Sequence, residues 1–237
     1  MSDKKIAFWF IALLSVLVLV PFLGETIFYS KGEPREAIVA YTMLESGNWI
    51  LPMNYGVEIA YKPPFLYWTI AVISSILGGV SEFSARMPSA LAFLAMQLVF
   101  FSFVAKRKNV KTAFLTSILL LSSFEVHRAA VACRLDMLQV SLIVISLCLL
   151  FRWDEKNCKG VPWLAVLLMA CATLTKGPVG SIFPCLCIGI YQLLRGRSFG
   201  KAFFSLLGIG LLSLIPLGIW FWAAYQQGGG RFAIWWW

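Results

Sequence analysis

Eight apolar runs, near residues 7–23, 65–80, 87–105, 112–132, 137–151, 161–174, 178–194 and 202–224, alternate with short polar breaks along the chain. Runs of this kind are read as helices that cross a bilayer. One of them stands apart. Fifteen residues from Phe65 to Gly79 rise only ~22 Å as a helix, short of the ~30 Å hydrocarbon core. If this run lies along the interface and the other seven cross, the N-terminus and the breaks 106–111, 152–159 and 195–201 fall on one side. That side collects Lys4, Lys5, Lys106, Arg107, Lys108, Lys111, Arg152, Lys156, Lys159, Arg195, Arg197 and Lys201, against only Asp3, Asp154 and Glu155. The positive-inside rule makes it cytoplasmic. Letting 65–80 cross would separate Lys4 and Lys5 from the three basic loops. The expected fold is therefore all-α and membrane-integral: a polytopic helical bundle of about seven spans, with a long first outer loop over about 24–86. The first run follows Lys4 and Lys5, as a signal peptide would, but no small-residue cleavage site follows Val20-Pro21-Phe22-Leu23-Gly24-Glu25, so it reads as an uncleaved first helix.

Composition agrees and removes one alternative. The chain is 60% hydrophobic and 13% charged, with a mean hydropathy of +0.81, whereas soluble domains are about a quarter charged. A net charge of +9 would suggest a nucleic-acid partner in a soluble protein. Here the whole excess resides in the cytoplasmic loops, so no nucleic acid is expected. Cys133, Cys148, Cys158, Cys171, Cys185 and Cys187 show neither zinc spacing nor a disulfide framework and read mainly as small buried hydrophobes. His127 is the only histidine, which argues against a histidine-rich metal site.

The outer side is electrically balanced and carries the candidate chemistry. Ionisable groups at helix ends near a membrane are costly unless they do something. In "SKGEPREAIVAYTMLESGNW" (30–49), Pro34 suits a helix start and Gly47 the position just past its end. Ala37, Ala40, Tyr41 and Leu44, with Ile38 alongside, form an apolar stripe at helical spacing; Arg35, Glu36, Thr42 and Glu45 take other faces. This predicts a short amphipathic helix on the membrane surface, with Glu33 at its positive end. "YKPPFLYW" (61–68) then breaks the chain at two prolines and starts the second interfacial helix, with Lys62 at the break either as a snorkelling boundary residue or as a ligand group. "ACRLDMLQV" (132–140) sets Arg134 and Asp136 at an outer junction, as an ion pair or a substrate contact. "LTKGPVG" (174–180) sets Lys176 beside Gly177 and Pro178 at another, where a cation next to freed backbone suits phosphate as well as a helix cap does. Glu125, His127 and Arg128 precede Asp136 and are candidates for the same cavity. Three cationic sites and several carboxylates on one membrane face suit an anionic, lipid-linked substrate.

The order of these motifs, "GEPR", "MLESGNWILP", "YKPPFLYW", "RLDM" and "LTKGP", resembles the GT-C glycosyltransferases. The nearest resemblance is to the lipid A aminoarabinose transferases (glycosyltransferase family 83) and the related dolichyl-phosphate-mannose protein mannosyltransferases. It runs from Lys4 to the end of the sequence and covers the N-terminal half of a typical member, so residues 1–237 are expected to be the N-terminal part of such a module, without its C-terminal spans and soluble outer domain. The resemblance implies a multi-pass enzyme of the bacterial inner membrane. Its active site would face the periplasm and move a sugar from a polyprenyl-phosphate donor to a lipid A, glycan or protein acceptor. By this resemblance Lys62 contacts the donor phosphate, Asp136 is the "LD" aspartate and Lys176 the lysine of "LTKG". The family aspartate three positions before its arginine corresponds here to Gly32. That leaves Glu33, two before Arg35, as the candidate base. The family's metal-holding glutamate corresponds to Tyr61, which argues against a divalent metal.

The expected reaction is displacement at the anomeric carbon. Glu33 and Asp136 are the candidate catalytic carboxylates, acting on the acceptor. Arg35, Lys62 and Lys176 stabilise the departing phosphate, and Tyr61, Arg134, His127 and Arg128 complete the substrate-binding set. The rival readings are a non-catalytic carrier or flippase for lipid-linked sugars, which would line a path across the membrane with charge, and an inactive truncated remnant.

Overall fold

The computed structural model describes residues 3–236, with side chains described from Asp3 to Phe232. Ten helices follow one another: α1 (Asp3–Leu19, extended by a 3₁₀ turn over Val20–Phe22), α2 (Gly32–Ser46), α3 (Phe65–Leu77), α4 (Glu82–Arg107), α5 (Val110–Ser122), α6 (Phe124–Ala130), α7 (Leu135–Glu155), α8 (Trp163–Lys176), α9 (Val179–Leu194) and α10 (Phe199–Trp236). The last is two helices merged across non-helical backbone at Gly229. Among the described residues the only sheet is a two-stranded hairpin, β1 (Met53–Asn54) against β2 (Glu58–Ile59). Its turn places Tyr55 and Gly56 at positive φ, 52° and 70°, as a type I′ turn demands.

Local signals explain the helix limits. Ser81 and Ser84 cap the start of α4 reciprocally, and the Asn109 side chain accepts from the Thr112 backbone at the start of α5. Gly47 and Gly78 terminate α2 and α3 in left-handed conformations, with φ of 69° and 88°. Pro34 sits in the first turn of α2, where its missing N–H has no intrahelical role.

Among the described residues, four stretches are long and apolar enough to cross a membrane: Asp3–Phe22, Glu82–Arg107, Leu135–Glu155 and Phe199–Phe232. Four further apolar helices, α3, α5, α8 and α9, are shorter. Length therefore does not separate α3 from α8 or α9, because all three fall below the ~20 residues of a full crossing. Contacts between helix ends do. Arg86 near the start of α4 bonds the carbonyl of Leu23, just after α1, and Lys176 ending α8 meets Asp136 opening α7. Trp220 in α10 donates to the Ile50 carbonyl of the first loop. At the opposite end, Arg107 of α4 pairs with Glu155 of α7. Gln192 of α9 and Arg197 just before α10 meet Asp154 of α7. Strict alternation of α1, α4, the α5–α6 pair, α7, α8, α9 and α10 satisfies every one of these contacts. The helices α2 and α3 are left at the first end, packed on each other, with α3 against α4. The helical membrane bundle expected from sequence is thus the observed fold.

The α8–α9 hairpin is close at its turn. A Cβ on Gly180 would lie 2.5 Å from the Ala172 carbonyl carbon and the Thr173 nitrogen, so only glycine lets the two helices meet there. In α2 the buried face holds Glu33, Glu36, Ala37, Val39, Ala40 and Met43. It is rotated from the stripe expected on sequence. Tyr41 is exposed and Leu44 only half-buried, while Glu36 turns inward. The reason is the pairing of Glu36 with Arg35, which lets a carboxylate occupy a core-facing position.

Single cysteines at Glu58 and Glu82, in a background freed of native cysteines, flank α3. Both should react with a membrane-impermeant maleimide from the same side, opposite to a cysteine at Lys108. Labelling of the Glu58 and Glu82 sites from opposite sides would show that α3 crosses.

Candidate active site at one end of the bundle

The first loop is anchored by a buried ion pair. Glu33 is 0% and Arg86 1% exposed, and Arg86 Nε donates to Glu33 Oε1 at 2.9 Å. Arg86 Nη1 donates to the carbonyls of Leu23 and Thr26, both at 2.8 Å, and Nη2 to that of Ile27 at 3.2 Å. The guanidinium carbon also lies 5.3 Å from the Phe28 ring centre. Glu33 Oε1 accepts a second bond, from the Cys133 backbone N–H at 2.9 Å. One carboxylate therefore ties the start of α2, the segment after α1, the start of α4 and the loop before α7 into a single knot. Burying both charges costs several kcal/mol per ion, which only this dense bonding offsets.

Next to the knot lies a second acid. Glu36 is 2% exposed, and its Oε1 accepts from Arg35 Nη2 at 2.9 Å. Glu36 Oε2 is enclosed and has no hydrogen-bond partner. The hydrogen bond to Glu36 raises the Arg35 pKa, and the guanidinium lies 5.9 Å from the Tyr61 ring centre. The Tyr67 phenol is pushed well up, by burial first and by Glu36 second. Burial likewise pushes the Cys133 thiol well up, with the Glu36 and Glu33 carboxylates adding to it. Cys133 is consequently a packing thiol without thiolate character.

The remaining expected residues divide into groups. Asp136 bridges two cations, Lys176 Nζ at 2.6 Å and Arg134 Nε at 3.4 Å, and all three side chains are partly exposed. Thus "RLDM" and "LTKGP", forty residues apart, form one cluster. Lys62 is half-buried with no ion-pair or hydrogen-bond partner among the described residues. The helix that follows it, α3, packs Phe65 and Trp68 against a core that includes Leu174, two residues before Lys176. His127 and Arg128 lie in α6. Arg128 pairs with Glu125 at 2.7 Å on an exposed surface, and that bond raises its pKa. The arginine cluster and the lysine cluster belong to the same end of the bundle, linked through the bond from Cys133 to Glu33. Gly32, where an added Cβ would meet open space, opens α2.

Sequence reasoning missed the partnership of Arg86 with Glu33 and the inward aim of Glu36. Arg86 was recognisable as an outer-face charge, but nothing local to it points to a partner 53 residues away. Among the described residues no three His, Cys, Asp or Glu side chains converge as metal ligands. Tyr61 beside Arg35 offers a phenol where a hard divalent cation would need a carboxylate.

The helical bundle, with its candidate side chains gathered at one ionic end, defines a polytopic helical membrane protein. Residues 61–220 match the dolichyl-phosphate-mannose-protein mannosyltransferase family, and the chain belongs to that family. Among its relatives, an undecaprenyl phosphate-alpha-4-amino-4-deoxy-L-arabinose arabinosyl transferase from Shewanella sediminis is 34% identical over 174 residues, covering 71% of this chain and 31% of the relative. A second protein of that name, from Proteus mirabilis, is 28% identical over 91% of this chain and 39% of its own length. An uncharacterized protein from Aquifex aeolicus is 32% identical over 84% of this chain and 44% of its own. The crystal structure of ArnT from Cupriavidus metallidurans bound to undecaprenyl phosphate superposes with a TM-score of 0.80 at 22% identity, over 98% of this chain and 43% of that one. Its apo form gives 0.80 at 24% identity. The chain thus spans less than half the length of these relatives.

Glu33→Gln leaves Arg86 charged and buried against a neutral partner. It should destabilise the protein by about 3–5 kcal/mol, as does breaking other buried pairs, read as a lowered thermal midpoint in detergent. Glu33→Leu combined with Arg86→Met should recover part of that loss. A Glu33→Gln protein as stable as the wild type would show that the knot does not hold the loop.

Proposed function

We propose that the protein is a membrane glycosyltransferase that takes a sugar from a polyprenyl-phosphate carrier and passes it to a lipid A, glycan or protein acceptor at the outer face of the bacterial inner membrane. The observation that carries this reading is the cationic end of the bundle. Arg35, Lys62, Arg134 and Lys176 come from four separate motifs and belong to the helix ends that alternation puts outside, in a chain whose family is named for lipid-phosphate sugar transfer. The ArnT crystal structure that shares the fold is bound to undecaprenyl phosphate, which supports a carrier of that class here. Among the described residues the ion pairs lie at the two ends of the bundle and do not line a route between them, which favours transfer over transport.

In this mechanism Lys62, which no internal acid neutralises, is the first cation to meet the carrier phosphate. Arg35 and Lys176 then stabilise the charge that develops on that phosphate as the anomeric bond breaks. Asp136, with one oxygen toward Lys176 and the other toward Arg134, orients the acceptor and takes its proton. Glu33 is occupied by Arg86 and Cys133, and its proposed part is to hold Arg35 and the loop before Asp136 in register. Tyr61 braces Arg35, and His127 and Arg128 form the acceptor-side rim.

Release of polyprenyl phosphate from polyprenyl-phosphate sugars, measured with the protein in proteoliposomes, tests the reading. Lys62→Ala and Lys176→Ala should each raise the donor KM by about ten- to a hundredfold, the worth of a hydrogen bond to a charged group. Asp136→Asn should lower kcat by about 10²- to 10⁴-fold. Unchanged kinetics in all three would sink the site, and movement of the lipid-linked sugar across the bilayer without release would favour a carrier.

A further inference from the structure

Glu33 and Glu36 lie one helical turn apart on the buried side of α2, yet their bonding is opposite. The oxygens of Glu33 are taken, by Arg86 at 2.9 and 3.5 Å and by the Cys133 N–H at 2.9 Å. Glu36 has one oxygen on Arg35 and the other enclosed without a donor. A buried carboxylate oxygen with no donor is rare in native proteins and marks either a trapped water or a group waiting for a ligand. Two hydroxyl- or thiol-bearing neighbours are at hand, Tyr67 and Cys133. Both are pushed up partly by Glu36, the Tyr67 phenol through hydrogen bonding as well as charge, yet the buried Oε2 has no donor in bonding geometry. Arg35, by contrast, is 47% exposed at its side chain. It pairs with Glu36 and lies beside the Tyr61 ring, and its exposure leaves it within reach of an anion from solvent. Its guanidinium can satisfy either the Glu36 carboxylate or an incoming phosphate, and taking the phosphate uncovers the acid.

We propose that Glu36 is the sugar-reading residue of the site: its carboxylate accepts a hydrogen bond from a hydroxyl or amino group of the carrier-linked sugar when Arg35 passes from Glu36 to the carrier phosphate. This rests on the function proposed above. The chemistry fits the covalent order of such a donor, because the sugar is attached directly to the phosphate, as Glu36 is adjacent to Arg35. A carboxylate also discriminates in one direction only. It rewards a sugar that presents a donor and competes with bare carrier phosphate for Arg35.

Binding of two probes to the protein in nanodiscs, followed by quenching of tryptophan fluorescence, tests the assignment. The probes are a polyprenyl phosphate and the same carrier loaded with an amino-pentose or a hexose. The wild type should bind the loaded carrier at least about tenfold more tightly than the bare one, as for a hydrogen bond to a charged acceptor. Glu36→Gln should bind the bare carrier as tightly as the wild type or more so, and should lose the preference for the loaded form. Equal binding of both probes by the wild type, or a preference retained in Glu36→Gln, overturns the assignment and leaves the orphaned oxygen to an enclosed water. Binding of neither probe by the wild type overturns the transferase reading as well, which separates the two failures. If Glu36→Gln does not fold, Glu36→Asp carries the test. Withdrawing the carboxylate by one methylene should reduce the preference, and full retention overturns the assignment.

Discussion

The Glu33–Arg86 pair is the constraint on which the candidate-site end of the molecule depends. Arg86 satisfies three carbonyls of the segment after α1 while holding Glu33. Glu33 in turn fixes the N–H of Cys133. A chain leaving α1 has no regular structure for about ten residues before α2 begins, and its carbonyls would otherwise have to be satisfied by water or lost. Fixing it with one guanidinium sets the starting point of α2, and with it the direction in which Arg35 and Glu36 point. The same carboxylate sets the height of the loop from which Arg134 and Asp136 emerge. Charge in this part of the protein works first as carpentry and only second as chemistry.

Around the knot, packing and electrostatics divide the labour. The core under α2 and α3 is apolar, built on Ala37, Ala40, Met43, Tyr67 and Ile70 with Cys133 from the far loop. Small alanines let α2 lie close to α3, and the acids sit only where arginines meet them. The Asp136 cluster is wetter, with every member partly exposed, so its ion pairs are weak in stability and easily rearranged by an anion. A rigid, dry pair beside a loose, wet one gives a surface that is fixed in place but adaptable in its contacts.

Much of this was legible in the sequence, for physical reasons that differ between elements. The helical, membrane-integral class was readable because hydropathy sums over whole runs, so no single residue had to be interpreted correctly. The length argument that picked out 65–80 as interfacial was weaker than it looked, since α8 and α9 are also short; the parity of the basic loops carried the conclusion. The helix at 32–46 was readable from Gly47 and the alanine spacing. Its face was not, because counting apolar positions assigns every glutamate outward, and a glutamate paired with its neighbouring arginine escapes that rule. The hairpin at 53–59 was hidden by Tyr55, which takes the left-handed position where asparagine or glycine would have announced a type I′ turn. The partner of Glu33 was illegible, because two charges 53 residues apart meet only through the packing of α1, α2 and α4.

The close approach at Gly180 has a consequence for how "LTKGPVG" is understood. Its lysine reaches into the ionic cluster, but its last glycine touches no ion and instead allows the backbone of α9 to rest on Ala172 and Thr173. Thr173 lies one turn before Lys176, so the depth of that contact sets where α8 stops and how far the ammonium stands above the helix end. A side chain at 180 would wedge the hairpin open and tilt the lysine away from Asp136 without touching either. The short motif is thus half reagent and half spacer, and the spacing of its two halves acts as a gauge for the height of a charge at the membrane surface.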